Sequence, residues 1–412
     1  MDDFMNFKQF VLSDVASVSL SNVDKKTNSA EAAVKLCNYV DVYNNYAITT
    51  HNYEMFMDAS ANSTEIEKFT LKKGDIAITK DSETRDDIGI PCYIANDFDD
   101  KVLLGYHCAL IRCNSELIDS KYLVAYLNSN IARKYFANNA TGSGQRASLS
   151  KSTIENMPIF APSLQEQKMM GCLLSDIDKQ ICLNRQINDN LEAMARQLYE
   201  YWFVQFEFPD ENGRPYKSSG GKMVWNDEIK QELPERWEVS ALGNILDINM
   251  GQSPKGASYN AIGEGLPFYQ GCNEFGNIYP TIKKYTTDPV KTAKQHDILM
   301  SVRAPVGAIN IANMDCCIGR GLCAVNNNYY THLYFMIKDI ACILSKKYNS
   351  GTTFGSICKA DLEMIKVGYP HHKVLYNFHN ICIPIFDILQ TNTQEIDSLI
   401  EVRTSLLKIL FS

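Results

Sequence analysis

Two periods of apolar spacing alternate along this chain and divide it into four stretches. Short runs of alternating apolar and polar residues, bounded by Gly, Asn and Asp, predict strands within residues 1–163 and again within 237–371. Each stretch gives way to a 3,4 spacing that predicts a long helix, over 164–207 and 372–412. In the first helix the spacing runs through Met170, Leu173, Ile177, Gln180, Asn184, Ile187, Leu191, Met194, Leu198 and Tyr201, a coiled-coil seam with two polar members that fix register. The second offers Ile381, Ile385, Asn392, Ile396, Leu399, Leu406 and Leu410, with Arg403 on the stripe and Pro384 expected to kink or interrupt the first turns. A helix of roughly 40 residues spans about 60 Å. Two of them cannot fold back into a compact domain, so they are expected to pack on each other as an antiparallel pair with one face left over for another protein.

The two globular stretches are copies of one framework. Leu12-Ser13-Asp14-Val15-Ala16-Ser17-Val18 matches Val239-Ser240-Ala241-Leu242-Gly243-Asn244-Ile245 in apolar pattern, Lys72-Lys73-Gly74-Asp75-Ile76 corresponds to Ala293-Lys294-Gln295-His296-Asp297-Ile298, and Cys108-Ala109-Leu110 to Cys323-Ala324-Val325. Lys151 and Pro162 recur as Lys359 and Pro370, with the same separation, and a Gly/Ser/Thr loop precedes each lysine. Their common order carries more than any one match. Residues 208–236 are rich in Pro, Gly and Ser and read as a linker. The expected fold is α/β (mixed α+β): two globular domains separated by two long antiparallel coiled-coil helices.

A length of 412 residues exceeds one hydrophobic core, and 45% hydrophobic residues suffice for packed domains. No apolar run reaches membrane-spanning length, and the acidic start MDDFMNFKQF lacks the features of a secretory signal, so a cytoplasmic protein is expected. The 13 cysteines form no C-x-x-C pair, which predicts reduced, mostly buried thiols and no metal site. A net charge of -8 opposes bulk coating of DNA, but its distribution is uneven. Residues 240–370 hold 12 Lys+Arg against 9 Asp+Glu, residues 164–239 hold 9 against 14, and residues 1–163 hold 16 against 21. DNA binding would therefore depend on local basic loops or on a basic partner.

Several segments together carry a family resemblance. Lys35-Leu36-Cys37-Asn38-Tyr39-Val40-Asp41-Val42-Tyr43 and Pro267-Phe268-Tyr269-Gln270-Gly271-Cys272-Asn273-Glu274-Phe275-Gly276 resemble the start of target-recognition domains in the specificity subunit of Type I restriction-modification systems. Pro162-Ser163-Leu164-Gln165-Glu166-Gln167, the long seam, Leu198-Tyr199-Glu200-Tyr201-Trp202-Phe203 and the segments Asn212–Met223 and Leu233–Trp237 are similar to that family's central spacer region. The resemblance implies two recognition domains, each reading one half of a split DNA site, and a subunit with no catalytic residues or cofactor of its own. It also implies two methyltransferase subunits as partners, with S-adenosylmethionine bound there, and two motor-nuclease subunits in the restricting complex.

No adenine-methyltransferase, phosphate-loop, H-E-x-x-H or G-x-S-x-G motif is present. Asp210 with Asp227, Glu228 and Lys230 has the residue types of a metal-dependent nuclease, but they lie in a linker-like segment. A duplicated protein-binding scaffold is the other alternative. For double-stranded DNA, Arg and Lys suit guanine or phosphate and Gln suits adenine. Domain one offers Lys80, Arg85, Gln145, Arg146 and Lys151. Domain two offers Gln252, Lys255, Arg303, Arg320 and Lys359, with Lys283 and Lys284 as phosphate contacts. Tyr39 and Tyr269 are expected to be core residues more readily than DNA contacts. The two domains differ in loops and charge, so their half-sites should differ.

Overall fold

The structure is a computed structural model that describes residues 7–142, 146–348 and 355–411. The chain forms two compact units, residues 1–183 with 396–412 and residues 184–395. In the first, β1 (Lys8–Val11), α1 (Leu12–Val15), β2 (Ala16–Leu20), β3 (Ala32–Cys37), α2 (Tyr39–Asn44), β4 (Ala47–Ile48), β5 (Met57–Ala61) and α3 (Ser63–Phe69) are followed by β6 (Ile76–Thr79), β7 (Asp81–Ser82), β8 (Pro91–Ile94), β9 (Val102–Leu104) and β10 (Cys108–Cys113). Then come α4 (Ser120–Leu127), α5 (Asn130–Asn139), β11 (Ala147–Ser148), α6 (Lys151–Glu155), β12 (Pro158–Ala161) and the long helix α7 (Leu164–Tyr199). The central sheet has the order β2-β10-β6-β8-β4, beside a three-stranded sheet β5-β3-β9 and the pairs β1-β12 and β7-β11.

Alternation along the strands covers both faces of the central sheet. Ile76, Ile78, Ala109 and Ile111 join the core built with α4, α5 and α6, while Ala77, Cys108 and Leu110 join the one built with β3, β5 and β9. Helix starts follow local chemistry. Asp119, Ser129 and Ser150 cap α4, α5 and α6 through their side chains, and Ser163 with Glu166 forms a capping box at the start of α7.

The second unit begins in α7, which ends in a π-helical turn at Glu200–Val204. It continues through β13 (Met223–Asn226), β14 (Gln231–Pro234), β15 (Glu238–Ala241), α8 (Leu242–Ile245), β16 (Asp247–Met250), β17 (Tyr259–Asn260), β18 (Leu266–Tyr269), β19 (Tyr285–Thr286), β20 (Thr292–Ala293), β21 (Ile298–Ser301), β22 (Ile309–Ile311), β23 (Cys316–Ile318) and β24 (Leu322–Asn326). α9 (Tyr330–Tyr348), α10 (Lys359–Glu363), β25 (Lys366–Tyr369) and α11 (His372–Leu410) follow. The sheets are β16-β24-β21-β22 and β17-β19-β18-β23-β20, with pairs β15-β25 and β13-β14. The segment read as a linker contains the β13–β14 hairpin. Its Phe208 stacks between Tyr216 and Trp237, at 4.8 and 5.8 Å, within an aromatic cluster that includes Trp202, Phe203 and Phe378.

The duplication is visible bond by bond, and it adjusts two of the matches drawn from the sequence. Leu12 N donates to Met157 O at 2.9 Å and Leu242 N to Ile365 O at 2.8 Å, so Leu12 corresponds to Leu242 and not to Val239. Ile76 pairs with Ile111 and Ile298 with Val325, which makes Leu322-Cys323-Ala324 the counterpart of Cys108-Ala109-Leu110. The sequence match was one residue off, and in a strand one residue exchanges the two faces. Gly74 and His296 both take the left-handed conformation in the turn before the central strand, and Asp75 and Asp297 hook back onto the backbone of Lys72 and Lys294. Lys151 and Lys359 correspond as expected: each opens a short helix and pairs with a glutamate one turn on, at 3.3 and 3.5 Å.

α7 and α11 pair antiparallel, but the buried face of α7 is not the stripe its apolar spacing suggested. Leu173, Gln180, Ile187, Met194 and Tyr201 are exposed, while Met170, Leu174, Asp178, Ile181, Asn184, Asn188, Ala195 and Tyr199 are buried. Two polar members of that face, Asp178 and Asn188, find partners on α11. In the first unit Arg403 Nη1 donates to Asp178 Oδ1 at 2.6 Å; in the second, Asn392 Nδ2 donates to Asn188 Oδ1 at 2.9 Å. On α11 the expected Ile381 is also exposed, and Leu375, Phe378, Cys382, Phe386 and Leu389 face inward. Pro384 does not interrupt α11. It lies on the exposed side, where water can satisfy the carbonyl it leaves unbonded, and Cys382 and Phe386 anchor the helix on either side. Cys37, Cys92, Cys316 and Cys323 are buried, with burial pushing their thiols up, whereas Cys172, Cys182, Cys342 and Cys358 are exposed.

Removing one partner of a buried ion pair strands the other charge. Arg403→Ala is expected to lower the stability of the first unit by about 3 kcal/mol, and Asp178→Leu combined with Arg403→Leu to recover most of it, as read from urea unfolding. A second prediction concerns His332 on α9, fully enclosed by Tyr199, Phe203, Tyr369 and Phe378. Burial pushes it down to about 3, so the folded state holds it neutral. The unfolded chain takes up this proton near pH 6.5. The stabilisation is therefore present above that pH and is lost as pH falls from about 6.5 toward 3, at up to about 1.4 kcal/mol per pH unit. Comparing His332→Phe with the wild type between pH 7 and 5 should show this slope removed.

Candidate nucleic-acid interface

In both domains the same strand ends bring the same loops together. Lys80 N donates to His107 O at 3.0 Å as β6 and β10 part, and Val302 N donates to Gly321 O at 2.9 Å as β21 and β24 part. The loop after β2 or β16 joins this corner through Ser21 N to Cys108 O and Gly251 N to Leu322 O, at 3.1 and 2.9 Å. The loop after β3 or β18 joins through Gly105 N to Cys37 O and Gly319 N to Tyr269 O, both 2.8 Å. Leu149 N and Ile357 N close it from the other side by bonding Lys80 O and Val302 O, at 2.8 and 3.0 Å.

The hairpin leaving each central strand returns through a left-handed glycine. Gly89 N and Gly307 N donate to Thr79 O and Ser301 O, both at 3.0 Å, while the Thr79 and Ser301 hydroxyls accept from Ile90 N and Ala308 N. Residues 80–88 and 302–306 are thus equivalent loops of different length. Close approach of backbone requires glycine at 319, where a Cβ would lie 2.9 Å from Gln270 Cα; at Gly105 a Cβ would lie 3.2 Å from Asn38 Cα and Cys37 O and would displace the Asn38 side-chain oxygen.

In domain two the corner gathers most of the expected contacts. Arg303 is exposed in the short 302–306 loop, and Arg320 is exposed between Gly319 and Gly321. Gln252 is exposed, its backbone tied to Ile318 O at 3.0 Å, and Lys255 is exposed three residues on. Ser253 and Gln270, which the sequence reading did not select, knit the loops together. The Ser253 hydroxyl accepts from Gln270 Nε2 at 3.0 Å and from Arg320 N at 3.3 Å. Lys359 follows Ile357 by two residues, exposed at the start of α10. Lys283 and Lys284 are also exposed; Lys283 Nζ donates to Asn273 O at 3.0 Å, just past Gln270.

Domain one fills the equivalent corner differently. Lys80 is nearly buried: its ammonium lies 3.5 Å from Asp81 and 4.4 Å from the centre of the Tyr106 ring, so it is spent on internal contacts. Asp81 also takes the Ser148 hydroxyl at 2.7 Å and His107 Nδ1 at 2.9 Å. Burial pushes the Asp81 carboxyl up, but these hydrogen bonds and the Lys80 charge outweigh it and hold the group below the usual carboxylate range. Arg85 is exposed and donates to Gly142 O at 3.2 Å, which ties the 80–88 loop to the glycine loop. Arg146 is exposed beside it, Lys151 lies two residues beyond Leu149, and Gln145 lies outside the described residues. Tyr269 is a buried core residue and Tyr39 is half-buried against Tyr43. Asn38, Tyr106 and His107 belong to the corner but were missed. Only the internal repeat, aligned in the correct register, signals them.

The acids of the nuclease reading are held in separate ion pairs, Asp210 with Arg214 at 3.1 Å, Asp227 with Lys230 at 3.6 Å and Glu228 with Lys366 at 3.0 Å. No cluster of three or more His, Cys, Asp or Glu suited to a metal ion occurs among the described residues. Residues 6–193 and 234–396 match the family described as Type I restriction modification DNA specificity domain. The chain belongs to this family. Its role is DNA sequence specificity, without catalysis of its own. It is 33% identical over 317 residues to the putative type I restriction enzyme MjaX specificity subunit of Methanocaldococcus jannaschii, covering 76% of this chain and 72% of that protein. It is 22% identical over 407 residues to the type I restriction enzyme HindI specificity subunit of Haemophilus influenzae, covering 84% and 87%. The crystal structure of a Type-I restriction-modification system S subunit from M. genitalium shares the fold, with a TM-score of 0.62 at 15% identity over 100% of this chain and 98% of that one. No helix among the described residues is long and apolar enough to cross a membrane.

The glycine contacts generate a prediction for each domain. Gly319→Ala should push Gln270 away from Arg320 and lower discrimination in one half of the bound sequence by about 1–3 kcal/mol, the worth of one bidentate base contact. Gly105→Ala should do the same to the other half. Binding selections with each variant check that the two effects fall on different halves.

Proposed function

We propose that the chain reads a bipartite, asymmetric DNA site, each domain inserting the loop corner described above into the major groove of one half. The observation that supports this best is the pair of equivalent corners with unlike contents: the same backbone bonds carry Arg303, Arg320 and Gln252 in one domain and Asp81, Tyr106 and Arg85 in the other. Unlike contents on like frames suit two different half-sites. Lys255, Lys283, Lys284 and Lys359 in domain two, with Arg146 and Lys151 in domain one, would hold the phosphates around them. Gln145, next to Arg146 in sequence, has the side chain suited to adenine.

In this reading the helix pair spaces the half-sites and carries the partner subunits. α7 leaves Met169, Leu173, Leu183, Ile187 and Met194 exposed, more apolar surface than a solvated helix needs. Two methyltransferase subunits, bringing S-adenosylmethionine and flipping the target adenines, would dock there, joined by two motor-nuclease subunits when the complex restricts. The assembly would work in the cytoplasm. Selection from a random duplex library by the chain and its methyltransferase partner should enrich a split consensus with an adenine in each half. Exchanging residues 240–370 for the corresponding domain of a relative should change only one half; a change in both would overturn the modular account.

A further inference from the structure

The register of the central strands places one residue pair at the mouth of each corner. In domain two Ser301 pairs with Leu322 and Val302 bonds Gly321, so Arg303, the next residue after Val302, and Arg320, the one before Gly321, leave the same end of the strand pair. In domain one Thr79 pairs with Cys108 and Lys80 bonds His107, and the next residue, Asp81, pairs with Ser148 of β11 and bonds the His107 ring, with Tyr106 beside Lys80. The two mouths are chemically opposed. Asp81 is saturated by Lys80, His107 and Ser148, and the Lys80 ammonium covers the Tyr106 ring. Arg303 and Arg320 are both exposed, and neither guanidinium has an ion-pair partner among the described residues.

Two cations leaving the same end of one strand pair, neither paired with a carboxylate among the described residues, are left to bind an acceptor. Each guanidinium presents a fork of donors, and in the major groove guanine offers the matching pair of acceptors, O6 and N7. A phosphate would also accept, but the supports here are those of a positioned reader. Arg303 sits in a five-residue loop closed by Gly307, and Arg320 in a turn whose backbone is held by Ser253 and pressed against Gln270. The exposed lysines at 255, 283, 284 and 359 would supply the phosphate contacts. We infer that Arg303 and Arg320 read guanine, so that the half-site of domain two contains guanine at the positions they reach, while domain one reads its half without an arginine at the mouth.

This inference rests on the DNA-specificity reading, and the experiment separates their failures. The full chain with its methyltransferase partner is selected against a random duplex library as wild type, Arg303→Lys and Arg320→Lys. Lysine keeps the positive charge and loses the fork. The wild type should enrich guanine in one half, and each lysine variant should lose preference for one guanine by roughly 5- to 150-fold while the other half keeps its consensus. Unchanged guanine preference in both variants, a weakening shared by all sequences, or a domain-two half without guanine overturns the assignment. Enrichment of no sequence by the wild type overturns the specificity reading itself.

Discussion

The register of one antiparallel strand pair in each domain decides what the candidate interface contains. With Thr79 opposite Cys108 and Ser301 opposite Leu322, the next residues out of the sheet are fixed, and these form the mouth of the corner. The register has little freedom, because both faces of the sheet are buried. Ile76 and Ile78 fill one core and Ala77 the other; Ile298 and Met300 fill one and Leu299 the other. A one-residue slip would exchange these sets. The Thr79 and Ser301 hydroxyls add a second lock, each binding the returning strand of the hairpin. The loops can therefore vary while their starting points stay rigid, the arrangement a precise binding site needs.

Variation on a fixed frame also reconciles an acidic chain with DNA recognition. The net charge of -8 is a whole-molecule quantity, whereas groove contacts respond to charge within about a Debye length. At the mouth of domain two two guanidinium groups have no carboxylate partner among the described residues, and at the mouth of domain one a carboxylate is paired with Lys80 and hydrogen-bonded to His107 and the Ser148 hydroxyl. The domains share backbone bonds and differ in electrostatics, which favours two unlike half-sites over a palindrome.

The helix pair is organised by polar contacts as much as apolar ones. Asp178 with Arg403 in the first unit and Asn188 with Asn392 in the second occupy inward-facing positions where apolar residues would form a plainer seam. Such groups reward one register, since any other leaves a buried charge or amide without its partner. The corollary is that apolar residues left off the seam, among them Leu173, Ile187 and Met194, remain at the surface, available to another protein.

Much of this was legible in the amino-acid sequence because it depends on local periodicity. The two long helices, the duplicated frame and the repeated Lys151 and Lys359 all follow from spacing and residue type along the chain. What the chain order could not decide is which face of α7 turns inward, since the preference for Asp178 and Asn188 over Leu173 and Ile187 exists only once Arg403 and Asn392, more than two hundred residues away, are beside them. Nor could it decide that Lys80 is spent on Tyr106 and Asp81, that Pro384 falls on a solvated face, or that Asp81 and Arg303 occupy one position. A match by apolar pattern carries an uncertainty of a residue or more, and in a sheet one residue separates the two faces. Periodicity thus determined the elements, and the pairing of distant strands and helices determined which side chains those elements present.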